Sequence, residues 1–424
     1  MKGVKSVFKL AFKSIANRKF SAILTVLAIS LSLSLFLGVQ KIKRGAEASF
    51  EQTISGVDLI VGARSGDVNL ILYSVFHIGN PTANITWKTY QDIASTRGIA
   101  WTIPLALGDS HRGFRVVGTD HSFFEHFQFG DHQDLKFSDG AAFEDLFDVV
   151  IGADVARELG YELGDEIILA HGIGAVSFSK HDNLPFKVKG VLAPTGTPVD
   201  RTLMTSLEAI EAIHIGWESG APSPITRITT ADKVRALNLK PTQLTAFYVG
   251  VTSKSSLLRF QRAIGTYREE PLTAVIPGVA LREMWRVVGV AEKTLSGVSV
   301  FVVFVGLLTI LISILTSLNE RRREMAVVRA IGARPWQIFA LLVLEAAILA
   351  LAGGVLSIAL LYGGLTVGGP VIERMMGARL IGVRPEMLDL LAILSTVAAA
   401  SFMAMIPAWR AYRNSLADGL ALRV

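Results

Sequence analysis

Four windows of this chain are apolar and long enough to cross a lipid bilayer, and they decide most of what it can fold into. They run over residues 20–40, 295–318, 338–365 and 388–409. A stretch of about 20 apolar residues matches a hydrocarbon core ~30 Å thick. In lipid a lone segment satisfies its backbone polar groups only as a helix. No other window qualifies. Residues 41–294 have the composition of a soluble domain, so the expected fold class is an α-helical membrane protein with four transmembrane helices. A large mixed α/β domain lies outside the bilayer between spans 1 and 2. The composition agrees: of 424 residues 51% are hydrophobic and only 18% charged, with a mean hydropathy of +0.46, high for a soluble protein.

The short flanks set the orientation. Residues 1–19 hold Lys2, Lys5, Lys9, Lys13, Arg18 and Lys19 and no acid. Residues 319–337, between spans 2 and 3, hold five arginines against Glu320 and Glu324. The tail 410–424 has Arg410, Arg413 and Arg423 against Asp418. These segments together exceed the net charge of the whole chain, +6, so the remainder is net negative. Basic residues are retained on the cytoplasmic side, which puts both termini and the 319–337 loop there. The domain 41–294 and the short loop 366–387 then face outward. A pI near 9.4 is accounted for by the membrane, and no nucleic-acid partner is needed.

Ala46-Glu47-Ala48 mimics a signal-peptidase site, but the apolar run before it is longer than a signal core. Lys41, Lys43 and Arg44 also intervene, so an uncleaved first span is expected. The chain has no cysteine, which excludes disulfides and thiolate metal sites.

Residues 2–19 read as an amphipathic interfacial helix, with Val4, Val7, Phe8, Ala11, Phe12 and Ile15 at three- and four-residue spacing. Small residues recur every four positions at Ser30, Ser34 and Gly38 and at Ala346, Ala350 and Gly354, which lets helices approach closely. Glu345 is the ionisable residue deep in a span. Such a carboxylate is costly and commonly functional, but this one lies close enough to the cytoplasmic face to reach an Arg or a headgroup, so a structural ion pair is expected in preference to a proton or substrate role. In the external domain, strands are expected at 57–61, 113–118, 186–192 and 243–252. Helices are expected at 43–55, 85–95, from 206, at 253–265 and over the stalk 275–294. Residues 148–170 read as strand, helix, turn at Gly164-Asp165 and strand, and 193–202 as a loop.

No G-x-x-x-x-G-K-[ST] phosphate loop, G-x-S-x-G elbow or H-E-x-x-H helix occurs in the sequence, so no catalytic residues are assigned. All eight histidines fall in the external domain. His121, His126 and His132 sit among Asp120, Glu125, Asp131 and Asp134, while His171 and His181 lie near Asp182. Imidazole with carboxylate suits zinc, but these spacings match no standard site, and scattered surface histidines are the commoner reading.

The segment Asn319–Ile338, NERRREMAVVRAIGARPWQI, closely resembles the loop between spans 2 and 3 in permease subunits of the MacB/FtsX family of ABC transporters. Ile406-Pro407-Ala408-Trp409-Arg410-Ala411 resembles the motif that closes those permeases. Val188-Lys189-Gly190-Val191 before Pro194-Thr195-Gly196-Thr197-Pro198 is similar, more loosely, to their MacB-like periplasmic core domain. The resemblance implies a type VII, mechanotransmission permease in a bacterial inner membrane, lacking a fused ATPase domain and itself noncatalytic. It implies a dimer with a second permease copy or a paralogue, and a separate ABC ATPase that carries the ATP. No cofactor is bound directly. Glu320, Arg321, Arg322, Arg323, Glu324, Arg329 and Gly332 are the implied coupling residues. The substrate is then a lipoprotein, peptide or small toxic compound, with a periplasmic adaptor or substrate protein as a further partner. Alternatives are an FtsX-like regulator of a cell-wall hydrolase, a zinc-linked transporter subunit, and a sensory protein without an ATPase.

Overall fold

Each apolar window lies in a long helix of the computed structural model, which describes residues 2–171, 184–216, 230–320, 334–376 and 385–413. The chain divides into two units, one of residues 1–45, 289–372 and 380–424, the other of residues 46–288 and 373–379.

The first unit is helical. An N-terminal helix, Lys2–Asn17, precedes the helix of span 1, Lys19–Gln52. Span 2 lies in Pro277–Glu320, span 3 in Pro335–Met376 and span 4 in Met387–Arg413. Their apolar lengths are 27, 24, 34 and 24 residues. The third helix therefore runs beyond the 338–365 window, through Gly368 and Gly369, because the apolar character persists and lipid leaves the backbone no other partner. Pro407 sits inside the fourth helix.

Small side chains make the helix contacts. Ala346, Ala350, Ala400, Ala404 and Ala408 have no exposed surface. A Cβ on Gly353 would lie 2.8 Å from Ile29 of span 1, and one on Gly354 2.8 Å from Ile393 of span 4. The two small-residue stripes thus seat spans on one another within the chain, where close backbone approach replaces the missing hydrophobic drive. Phe20, Phe301 and Phe402 point outward and are largely exposed, as lipid-facing side chains require.

The second unit is built on a mixed sheet. Its strands are β1 (Leu59–Ala63), β2 (Ile85–Thr86), β3 (Ile99–His111), β4 (Phe114–Thr119), β5 (Gln128–Phe129), β6 (Gln133–Asp134), β7 (Phe137–Gly140) and β8 (Asp148–Ile151). Then follow β9 (Glu166–Ile167), β10 (Ala170–His171), β11 (Phe186–Leu192), β12 (Thr202–Ser206), β13 (Gln243–Leu244), β14 (Ala246–Val251) and β15 (Leu272–Val275). The main order is β15-β1-β14-β3-β4-β12-β8-β11-β7. The β4/β12 and β8/β11 pairs are parallel and the other neighbours antiparallel.

The 13-residue β3 joins the two halves of the sheet. Its first half pairs with β14, and beyond Ala106 it pairs with β4, with the register shifting between Leu107 and Ser110. Every residue of β1, β4 and β8 is buried, as strands covered on both faces must be. Gly118 of β4 leaves room for Ile210 of helix Leu207–His214, since a Cβ there would come within 2.4 Å of it.

Local reading of the chain serves several elements well. Residues 186–192 form β11. The helix Ala153–Leu159 closes on Gly160 in the left-handed region, φ 71°, as a C-terminal glycine commonly does. Two differences stand out. Residues 202–206, placed between a loop and a helix by pattern, form the central strand β12. Ile85–Thr86 pairs with Gln243–Leu244, and only then does helix Trp87–Ala94 begin, capped by the Thr86 side chain.

Candidate functional site

The Arg-rich loop lies outside the described residues from Arg321 to Ala333, so Arg321, Arg322, Arg323, Glu324, Arg329 and Gly332 have no structural account, and Glu320 ends the helix of span 2. The polar geometry of the helical unit is concentrated at two other places.

The first is Glu345. It is 7% exposed, and the Ser14 hydroxyl lies 3.1 Å from each of its carboxylate oxygens. Ser14 belongs to the N-terminal helix, whose Ala11 is buried while Phe8 and Phe12, one turn apart, are exposed. One face of that helix thus meets the spans, and two phenylalanines are left for the bilayer surface. Glu345 stands ten residues beyond Pro335, so this contact ties the N-terminal helix to the segment just after the Arg-rich loop. A carboxylate at this depth needs such a donor.

The second place was not legible from the sequence. Lys41, near the other end of span 1, is 8% exposed. Its ammonium lies 2.9 Å from Glu386 and 3.5 Å from Asp389. The Tyr362 hydroxyl of span 3 donates to Asp389 Oδ2 at 2.6 Å, and the Lys41 ammonium sits 5.9 Å from the centre of that ring. The backbone N–H of Glu386 also donates to Asp389 Oδ2, at 2.9 Å. This is the back-bond of a helix capping box. Arg44 reaches Glu386 at 3.4 Å. Spans 1, 3 and 4 therefore share one buried charged network. The available signal was the spacing Glu386-x-x-Asp389 at the start of an apolar helix. Charges at span ends, however, read by default as solvated flanks.

In the external unit, the Pro194–Pro198 loop closes on itself. Asp200 is 2% exposed and accepts from the Thr195 N–H at 2.7 Å, the Thr195 hydroxyl at 2.8 Å and the Gly196 N–H at 2.7 Å. Burial still pushes its carboxyl above the usual carboxylate range. Arg201 pairs with Glu158 at 2.7 Å and lies over the Phe114 ring. With its polar groups engaged internally, the loop fastens β12 to helix Ala153–Leu159.

The structure does not bring the histidines together. The His126 ring stacks on Trp101, with centroids 5.1 Å apart. His121 packs against Phe143, and His132 Nδ1 lies 3.2 Å from the Gln128 side-chain oxygen. His171 ends β10, and His181 lies outside the described residues. Among the described residues, no three His, Asp or Glu side chains converge as a metal set. His111 spends both nitrogens, on the Ile168 carbonyl at 2.7 Å and the Tyr161 hydroxyl at 2.8 Å.

Four apolar helices with a large mixed α/β domain between the first and the second make this a multi-pass membrane protein. The family model for the MacB-like periplasmic core domain matches residues 22–267, more than half of the chain, and that for the FtsX-like permease C-terminal matches residues 296–416. The chain belongs to the MacB/FtsX family of ABC-transporter permeases, and membership implies an ABC ATPase as partner. Among solved structures, it is similar to the periplasmic region of MacB from Actinobacillus actinomycetemcomitans. That match has 11% identity and a TM-score of 0.33, over 55% of this chain and 94% of the other. It is also similar to the extracellular domain of the noncanonical ABC-type transporter YknZ from Gram-positive bacteria. There the identity is 13% and the TM-score 0.29, over 52% and 98% of the two chains. No curated protein matches.

Proposed function

We propose that this chain is the noncatalytic membrane subunit of a mechanotransmission transporter in a bacterial inner membrane, with both termini cytoplasmic. A separate ABC ATPase binds and hydrolyses ATP beneath a pair of permeases. Its closure is received on the Glu320–Ile338 loop and on the N-terminal helix, and the spans carry that motion to the external domain. The substrate, a lipoprotein, peptide or small toxic compound, is met on the outer side of the membrane. No cofactor is held by the chain itself.

The bond from Ser14 to Glu345 is the observation that carries this reading. Two receiving elements far apart in sequence, the N-terminal helix and the segment after the Arg-rich loop, are fastened to one another, so a push on either reaches span 3. The absence of a phosphate-loop motif in the 424 residues supports placing ATP on the partner.

The test is reconstitution of the chain with its ABC ATPase in proteoliposomes. Replacing Arg321, Arg322 and Arg323 together by Glu reverses the loop's charge, and like-charge contact at an interface costs several kcal/mol, so permease-stimulated ATP turnover is expected to fall about tenfold or more. Membrane insertion should be unchanged. Full stimulation by the triple variant would remove the loop from the docking surface and this reading with it.

A further inference from the structure

Span 2 differs from the other three in how it is held. From Thr294 to Leu318 it contains no ionisable residue, so it cannot enter an ion pair. Its polar contacts with span 1 are neutral: Ser313 with Ser21 at 3.1 Å and Ser296 with Gln40 at 3.3 Å. Between them Gly306 faces Ser32, where a Cβ would lie 3.1 Å from the hydroxyl. Beside this face runs a shallow apolar crevice lined by Ser32 and Leu33 of span 1, Val303, Gly306 and Leu307 of span 2 and Thr396 of span 4.

Spans 1, 3 and 4 are held by charge. Lys41 is buried between Glu386 and Asp389, and Tyr362 bonds the same Asp389 carboxylate. Lys41 and Asp389, the buried pair of the group, are costly to strip of one another in a low-dielectric site, while Glu386 is partly open to solvent. Asp389 is 3% exposed and its second oxygen, Oδ1, is buried without a hydrogen-bond partner. At the opposite end Glu345 fixes the N-terminal helix to span 3. Apolar packing joins all four spans, with Gly353 closed on Ile29, Gly354 on Ile393, and Leu307, Ile310 and Ile314 of span 2 in one buried cluster with Ile29 and Ala346, so the division rests on the polar groups alone.

We infer that the N-terminal helix and spans 1, 3 and 4 move as one body, clamped by the Lys41–Glu386–Asp389–Tyr362 network, and that span 2 is the element that slides along it on a small-residue, hydroxyl-lined track. Neutral hydroxyl pairs exchange partners one turn along a helix at little cost, whereas a buried ion pair does not. A transmission device needs both properties, a body that holds its register and a part that changes it. The inference rests on the transmission reading above for its role, but the motion itself belongs to the chain alone.

The chain has no cysteine, so engineered pairs can be read directly in the full-length protein in proteoliposomes, without any ATPase. Disulfide formation is followed by loss of labelling with a maleimide-polymer tag. On the span 1/span 2 track, Ser21→Cys is paired with Ser313→Cys, its neighbour, and separately with Thr309→Cys, one turn away. Inside the clamped body, Gly38→Cys is paired with Leu361→Cys, its neighbour, and separately with Leu365→Cys. On the track the two rates should agree within about threefold, while in the body the displaced pair should be slower by about tenfold or more, as a held register requires. Lys41→Met should speed the displaced pair in the body by about tenfold and Lys41→Arg should not, because only the first removes the cation beside the buried Asp389. If Lys41→Met does not insert stably, the comparison of the two interfaces in the otherwise native chain decides by itself. Equal register selectivity at both interfaces overturns the inference, as does a displaced body pair that Lys41→Met leaves unchanged. Because no ATPase is present, failure of the docking reading would leave these rates untouched, so the two ideas fail separately.

Discussion

His77 shows how much a single side chain constrains the external unit. Its backbone lies in the left-handed region, φ 56°, and its Nδ1 is 3.1 Å from the Thr202 hydroxyl. That hydroxyl already donates to the Pro198 carbonyl at 2.9 Å, so it must accept from the ring, which assigns the proton to Nδ1. Burial, and secondarily the positive charge of Arg115, lower the imidazole to about 4 from an ordinary 6.5. The sign follows directly. Between these values the unfolded chain binds the proton and the folded one does not, so stability rises with pH from about 4 to 6.5 and is level above that. His77 keeps some exposure to solvent, which screens the effect, and about 2 kcal/mol is a reasonable ceiling for the loss on acidification. The carboxyls of Asp120 and Asp200 are pushed upward by burial and act in the opposite sense, so the useful quantity is a difference. His77→Asn keeps a residue that tolerates positive φ and removes the titration. Melting curves from pH 7 to 4.5 should fall more steeply for the native chain than for the variant. Parallel curves would show that the ring takes up its proton in the fold as readily as in the unfolded chain.

At the scale of elements, the sheet depends on positions where a helix rests directly on a strand. Helix Leu207–His214 meets β4 at Gly118, where an added Cβ would come within 2.4 Å of Ile210. Gly118→Val should therefore force the helix off the strand, costing about 1–3 kcal/mol as other overpacked cores do, seen as a lower melting temperature. Gly108 of β3 meets nothing within 4 Å, and Gly108→Ala should be close to neutral. Equal effects at both would mean that the helix adjusts freely. Such close contacts also explain what a linear reading can reach. The four spans were plain because lipid forces a helix on any long apolar run, and β11 because seven residues alternate in burial. β12 falls in the gap between the loop 193–202 and the helix expected from 206, because Thr202–Ser206 is only five residues long and is buried by parallel pairing with β4, nearly ninety residues earlier, which no local pattern records. The same holds for the two polar centres. Glu345 stands out as a lone acid in an apolar run, while Lys41, Glu386 and Asp389 are each unremarkable at a span end and become a network only when three helices meet.

For the whole molecule, the transmission proposed above requires that a force applied on one side of a membrane reach a domain on the other. Span 2 offers a direct route, because Pro277–Glu320 is one unbroken helix of 44 residues. Its first part belongs to the external unit, with Ala280, Leu281 and Met284 in that unit's core beside Val275 and Ile54. Its later part, Leu307, Ile310 and Ile314, packs in the core of the helical unit. A helix transmits displacement along its axis through its i to i−4 bonds. From Thr294 to Leu318 this helix also has no ionisable residue. The sliding element and the element that enters the external core are therefore the same helix. Inserting a flexible Gly-Ser segment of about six residues after Gly289 would interrupt the bonds and give a tether that behaves as a random coil. Both cores should survive, because the insertion falls where the two units divide. Docking of the ATPase and basal ATP turnover should persist in proteoliposomes, while substrate movement falls by about tenfold or more, since a coil passes on little axial displacement. A straight helical insertion of about seven residues, two turns that nearly preserve the facing of the helix, should do far less harm. Transport that survives the flexible insertion would mean that the motion travels through span 1 or between permease copies, and the single-helix route would have to be abandoned.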